Sequence, residues 1–141
     1  MRVCIDTNVL LQIFGQTHPF QPIKESLVSG RIELAVSNEI LLEYEEIVTA
    51  LSGWKRWREI EIFLTRLFQL HANVLFLEPQ FRFQVIASDP DDNKFVDCAI
   101  AAQADFIITE DQDFKPLLGS GYKPRPITPA NFIQHHLKER N

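Results

Sequence analysis

No apolar run in this sequence approaches the ~18 residues of a membrane span, so a transmembrane helix is not expected. Cysteine is scarce: Cys4 and Cys98 both lie inside apolar runs. That excludes a disulfide scaffold and fits buried thiols in a reducing cytoplasm. No internal repeat or low-complexity stretch occurs, which argues against a disordered chain. The four histidines lack zinc-motif spacing, and the adjacent pair His135–His136 points its rings in different directions. Positive charge is also short, with 14 Lys and Arg against 19 Asp and Glu, for a net charge of −5. This disfavours a protein that coats nucleic acid through bulk charge, but not one that grips it through bound cations and a local basic patch. The opening Met1–Asp6 breaks too early for a secretory leader, so the expected location is cytoplasmic.

What is present is a folded composition: 45% hydrophobic and 11% aromatic residues in 141 positions. One domain over residues 1–141 with a substantial core is expected. The chain is organised around Arg2-Val3-Cys4-Ile5-Asp6-Thr7-Asn8-Val9. The run lacks polar alternation, as in a strand covered on both faces of a parallel sheet. Leu10, Ile13 and Phe14 then recur at helical spacing. Gly15 to Pro22 reads as a loop and Ile23 to Ser29 as a short helix. Glu33–Val36 reads as a second strand. Ser37 is an N-cap with Glu39 in the first turn. The helix it opens runs to about Leu51 with one apolar stripe of Ile40, Leu41, Tyr44, Ile47, Val48 and Leu51. Ser52-Gly53 stops it, and Trp54 to about His71 returns as a helical hairpin. Val74–Leu77 is a third strand.

Ser88-Asp89-Pro90-Asp91-Asp92-Asn93 is a turn and cap cluster, followed by a helix from Lys94 to Ala104. Phe106–Thr109 is a fourth strand and Asp113–Leu118 a short helix. Ile127 belongs to a short edge strand, and Thr128-Pro129 opens a last helix to about Lys138. Strands alternating with helices imply a three-layer α/β/α sandwich with a central parallel sheet of four to five strands and right-handed crossovers.

Several acids fall where acids are costly. Asp6 and Asp111 follow apolar strands at one sheet edge, where open α/β sheets place ligand crevices. Two carboxylates there repel unless something positive lies between them; the plainer alternative for each is a helix cap. Asp97 is surrounded by Phe95, Val96, Cys98, Ala99 and Ile100, so an ionised side chain needs a partner, either a metal or an arginine in a structural pair. Asp92 is either a helix cap or an acid supporting the others. Glu43 and Glu45 each lie roughly 100° from the centre of their helix's apolar stripe, so periodicity leaves both open. Oxygen donors without His or Cys suit magnesium or manganese, not zinc. In Trp54-Lys55-Arg56-Trp57-Arg58, three cations can meet phosphates while an indole stacks on a base; the alternative is a solvated helix start with one Trp in the core. Lys115, Lys123 and Arg125 follow the fourth strand and can flank the site.

Together these residues resemble the PIN-domain family over nearly the whole chain. Asp6-Thr7-Asn8 resembles its opening Asp-x-Asn/Ser. Ser37 through Glu43 resembles its second-strand Ser and following Glu, a register that selects Glu43. Asp97-Cys98-Ala99-Ile100-Ala101-Ala102 resembles its Asp-Ala-x-x-Ala-Ala helix, and Thr109-Glu110-Asp111-Gln112-Asp113-Phe114 its Thr-x-Asp-x-Asp-Phe close. The nearest subgroup is similar to the VapC-like toxins of type II toxin–antitoxin pairs, especially a branch with an Asp-Pro-Asp-Asp-Asn stretch.

The resemblance implies a metal-dependent endoribonuclease that leaves a 5′-phosphate and a 3′-hydroxyl. Asp6, Glu43, Asp97 and Asp111 are then the catalytic acids and ligands of one or two Mg²⁺ or Mn²⁺ ions. Asn8, Asp92, Thr109 and Asp113 support them, and Lys55, Arg56, Arg58 and Lys115 bind RNA. An antitoxin protein and a homodimer are the implied partners, with no membrane. Three rivals stand beside it: an inactive PIN fold that binds RNA or a partner, a receiver-like phosphoacceptor, and an aspartate-nucleophile phosphatase. The receiver pattern wants paired acids after the first strand, and the phosphatase wants an acid where Asn8 stands.

Overall fold

The computed structural model describes residues 1–15 and 19–138. Five strands form one parallel sheet: β1 (Arg2–Ile5), β2 (Glu33–Val36), β3 (Val74–Phe76), β4 (Phe106–Ile108) and β5 (Arg125–Ile127). Their order is β3-β2-β1-β4-β5. β1 is central: Val3 and Ile5 pair with Phe106 and Ile108 on one side, and Val3 with Leu34 on the other. Val3, Cys4 and Ile5 have no exposed surface, as apolar runs in a two-sided sheet require. The chain moves outward to β3, then crosses back over β1 to reach β4. The β1–β4 junction is therefore the switch point of the topology, and its crevice opens at the carboxyl ends of those strands.

Among the described residues, five α-helices lie between the strands, α1 (Thr7–Ile13), α2 (Gln21–Val28), α3 (Asn38–Ser52), α4 (Trp54–His71) and α5 (Asn93–Ala101), and α6 (Pro129–Phe132) follows the last strand. α3 packs against α1 and α4, while α5 packs on β1, β2 and β4 and also meets α3. Of the expected loop over residues 15–22, positions 16–18 lie outside the described residues, and α2 already begins at Gln21, with Pro22 in its first turn. Ser37 caps α3, its hydroxyl accepting from the Ile40 N–H at 3.3 Å. Ile40, Tyr44 and Val48 are buried at a four-residue spacing. The stripe stops there: Leu51 is exposed because it lies near the hairpin tip. Gly53 makes that tip with φ +90°, a backbone that side chains resist.

Trp57, Ile60, Leu64 and Leu67 then bury one face of α4. α5 ends at Ala101, three residues before the expected end. The short helix after β4 is a 3₁₀ run, Gln112–Leu117, and α6 continues as a π-helical turn, Ile133–Leu137. No helix among the described residues is long and apolar enough to cross a membrane.

Candidate metal centre

Asp6 occupies the N-cap position of α1, yet its side chain does not cap the helix. Its Oδ2 instead accepts from the Thr109 hydroxyl at 2.7 Å. The same Thr109 oxygen accepts from the Asp111 N–H at 3.0 Å. Asp111 does cap, accepting from the Asp113 N–H at 2.8 Å through Oδ1, and it still lines the crevice. That crevice, about 590 Å³, is walled by Asp6, Asn8, Leu11, Gln12, Glu110 and Asp111. Glu110 is tethered to its rim by the Gln12 amide at 3.0 Å.

Glu43 enters from α3. Its Oε2 accepts from the Thr7 hydroxyl and its Oε1 from Lys94 Nζ at 2.9 Å. The adjacent Tyr44 fixes this placement: its buried hydroxyl donates to the Ile5 carbonyl, just before Asp6. Glu45 is exposed and lines a different groove, between α3 and α4.

Asp92 enters from the turn before α5, Pro90–Asp92. Its Oδ2 is buried and, among the described residues, has no hydrogen-bond partner. Oxygens of Asp89, Asp92 and Asp113 lie within 4.8 Å of one another. Burial, then Asp89, Asp6, Asp111 and Glu43, push the Asp92 carboxyl up to about 7. Asp6, only 7% exposed, is also raised. Burial is the main cause; the Thr109 hydroxyl and the Thr7 N–H work against it, and Glu43 and Asp111 add to it. Asp6 and Asp92 thus form one group with Glu43 and Asp111, whose charges both of them feel.

Asp97 is not part of it. Its carboxylate, on a residue 8% exposed, accepts from the Phe83 N–H at 3.0 Å. Its value is raised by burial and lowered by the Phe83 N–H and the Arg82 charge, while Glu39 adds a small rise. None of the crevice acids contributes. The reason is helical: five positions at ~100° each turn Asp97 about 140° away from Asp92. Asp97 shares its face with Asn93, one turn earlier, whose amide bonds both the N–H and the carbonyl of Ile86 at 2.9 and 2.8 Å. This face of α5 therefore holds the irregular chain of residues 83–86 that leads to Asp89.

Lys94 was not singled out by sequence, although an acid-rich turn directly before it was the available signal. Burial disfavours its ammonium, but the bond and charge of Glu43, with Asp91 and Glu39 beyond, outweigh this and raise its value. Asp89, read as part of a turn, likewise joins the acids. Of the expected RNA-binding residues, Arg56 and Arg58 are paired within their own helix to Glu59 and Glu61 at 2.9 and 2.5 Å. Lys55 and Lys115 are exposed. Trp54 is exposed and Trp57 buried.

The oxygen donors are of the kind that hard divalent cations take. An orphaned buried Asp92 oxygen beside the carboxylates of Asp89 and Asp113 is what a cation would satisfy, so the residues fit such an ion.

A family model described as PIN domain matches residues 2–113. No curated protein matches the chain. Among solved structures, a chain of VapBC2 from Rickettsia felis, bound to a DNA fragment from their promoter, is similar in fold. The TM-score is 0.62 at 15% sequence identity, over 89% of this chain and 98% of that one.

Proposed function

The chain belongs to the PIN-domain family, and from that premise we propose that it is a metal-dependent endoribonuclease, the VapC-like toxin of a type II toxin–antitoxin pair. Asp6, Glu43, Asp92 and Asp111 hold one or two Mg²⁺ or Mn²⁺ ions, with Asp89 and Asp113 beside them. Asp92 takes the role that the family motif assigned to Asp97, because Asp97 spends its carboxylate on the Phe83 N–H. What supports the reading most is the pair of strand-end acids, Asp6 and Asp111, on one crevice, with Glu43 near enough to act on Asp6 and a buried Asp92 oxygen left without a donor.

When bound, the metal supplies an acidified water and neutralises charge building on the phosphoryl oxygens. The chain's own groups do the rest. Thr109 orients Asp6, and Thr7 and Lys94 hold Glu43 between them. A crevice carboxylate accepts the proton of the attacking water. Asn8, exposed in the crevice wall, offers its amide to the substrate. Lys94 lessens the repulsion that uncompensated acids exert on a phosphate backbone. An antitoxin protein and a second copy of the chain are the partners this reading implies.

The test is cleavage of labelled RNA with Mg²⁺ or Mn²⁺, against chelator and against Asp6→Asn and Asp92→Asn. Loss of cleavage in each supports the reading, and wild-type rates in Asp6→Asn overturn it. The toxin assignment is tested separately, by whether a short neighbouring reading frame encodes a DNA-binding protein that captures this chain and inhibits it.

A further inference from the structure

At the opposite end of α1 from Asp6 lies a groove of about 240 Å³. Its aromatic wall is Phe14 meeting Phe63 edge to face, with centroids 5.0 Å apart. Lys24 Nζ sits 4.8 Å from the centroid of Phe14 and 5.7 Å from that of Phe63. The ammonium is thus held by ring faces rather than by an acid. Arg56 and Arg66 also line the groove, and its acid, Glu59, is engaged by Arg56 at 2.9 Å. Among the described residues, neither Lys24 nor Arg66 has a carboxylate within ion-pair distance. A chain of net charge −5 gathers three cations against one acid here.

We propose that this groove is a docking site for the RNA backbone, engaging phosphates beyond the one being cut. The inference rests on the ribonuclease reading. Two spacings carry it. α1 has seven residues, so the groove lies about 10 Å along that helix from the acid crevice. Arg56 and Arg66 stand ten residues apart on α4, about 15 Å along its axis. A row of separated single cations matches a strand with one charge per nucleotide better than it matches a single carboxylate. The rings preorganise Lys24, and the acidic remainder of the surface leaves this row as a place where phosphate contacts gain affinity.

The experiment measures binding of a fluorescein-labelled single-stranded RNA across a salt series. The full chain carries Asp6→Asn, so that turnover does not interfere. Lys24→Gln with Arg66→Gln is expected to weaken binding about tenfold and to lower the slope of log K against log salt by ~1.4, at about 0.7 per lost phosphate contact. Arg66→Gln alone, at an exposed position, is expected to lower it by ~0.7 without touching the core. Lys24→Arg with Arg66→Lys restores both. Unchanged affinity and slope in both glutamine variants overturn the proposal. So does displacement of the RNA by a polyglutamate peptide at equal charge concentration, which assigns the groove to an acidic protein. In the chain with Asp6 intact, the groove variants are expected to raise KM for cleavage and leave kcat alone. Cleavage with unchanged KM sinks the groove and spares the nuclease. Loss of salt slope in a protein that cuts no RNA sinks the nuclease and spares the groove.

Discussion

The Thr109 hydroxyl lies 2.7 Å from Oδ2 of Asp6 and so ties together the ends of two adjacent strands that are 103 residues apart in the chain. The same oxygen receives the Asp111 N–H. One side chain thereby sets both the orientation of Asp6 and the path of the chain towards Asp111. Thr109→Val keeps the shape but removes the donor. It is expected to cost about 1–3 kcal/mol in urea denaturation, because a buried carboxylate loses its partner. It should also weaken divalent-ion binding in calorimetry, and Thr109→Ser should recover most of both.

Asp92 and Asp97 separate cleanly in a metal titration. Asp92→Asn is expected to weaken Mn²⁺ binding at least tenfold. Asp97→Ala should leave that affinity within about threefold while costing about 1–3 kcal/mol of stability, since the Phe83 N–H is left unpaired. Reversed outcomes would return Asp97 to the ligand set.

The pH dependence of the metal-free protein follows from Asp92. Its folded value of about 7 stands above 3.8 for the free side chain. Between those values the folded state retains a proton that the unfolded state has released. Stability therefore falls as pH rises from about 4 to about 7, and levels off above. Thermal unfolding in chelator should show this decline, and Asp92→Asn should reduce it to the part that the raised Asp6 and Asp97 carboxyls contribute with the same sign. Mg²⁺ should raise Tm more at pH 8 than at pH 5, because at pH 5 it must displace a proton.

Tyr44→Phe removes the hydroxyl that donates to the Ile5 carbonyl. The expected loss is about 1–2 kcal/mol in denaturation. Because Tyr44 seats α3 over the end of β1, metal affinity should also drop, although Tyr44 itself carries no charge. A stability loss with unchanged affinity would show that Glu43 is held by Thr7 and Lys94 alone.

The sheet was readable from sequence because strands covered on both faces must be apolar throughout. Val3–Ile5, Leu34–Val36 and Phe106–Ile108 announce themselves in that way, and Asp6 and Asp111 stand out as the acids that end two of them. The choice between Glu43 and Glu45 was not readable by periodicity, because both flank the apolar stripe equally. Family register chose Glu43, and in the fold it is Tyr44 reaching Ile5 that turns this flank inward. Asp97 drew attention because its neighbours are apolar. Burial shows in a sequence, but the donor that satisfies a buried group does not. Here that donor is a main-chain N–H on an irregular segment, which carries no periodic signal. Asp89 and Lys94 were obscured for a related reason: a turn rich in Asp and Pro has ample reason to exist as a turn.

The strand at the middle of the sheet precedes its partner β4 by about a hundred residues. Domains fold as their sequence emerges, but during synthesis Asp6 has no Thr109 to hold it until 103 further residues have been made. A chain still being translated thus lacks a finished crevice. A truncated product ending before Phe106 would lack the Thr109 and Asp111 side of the crevice, whatever its first half had already folded into.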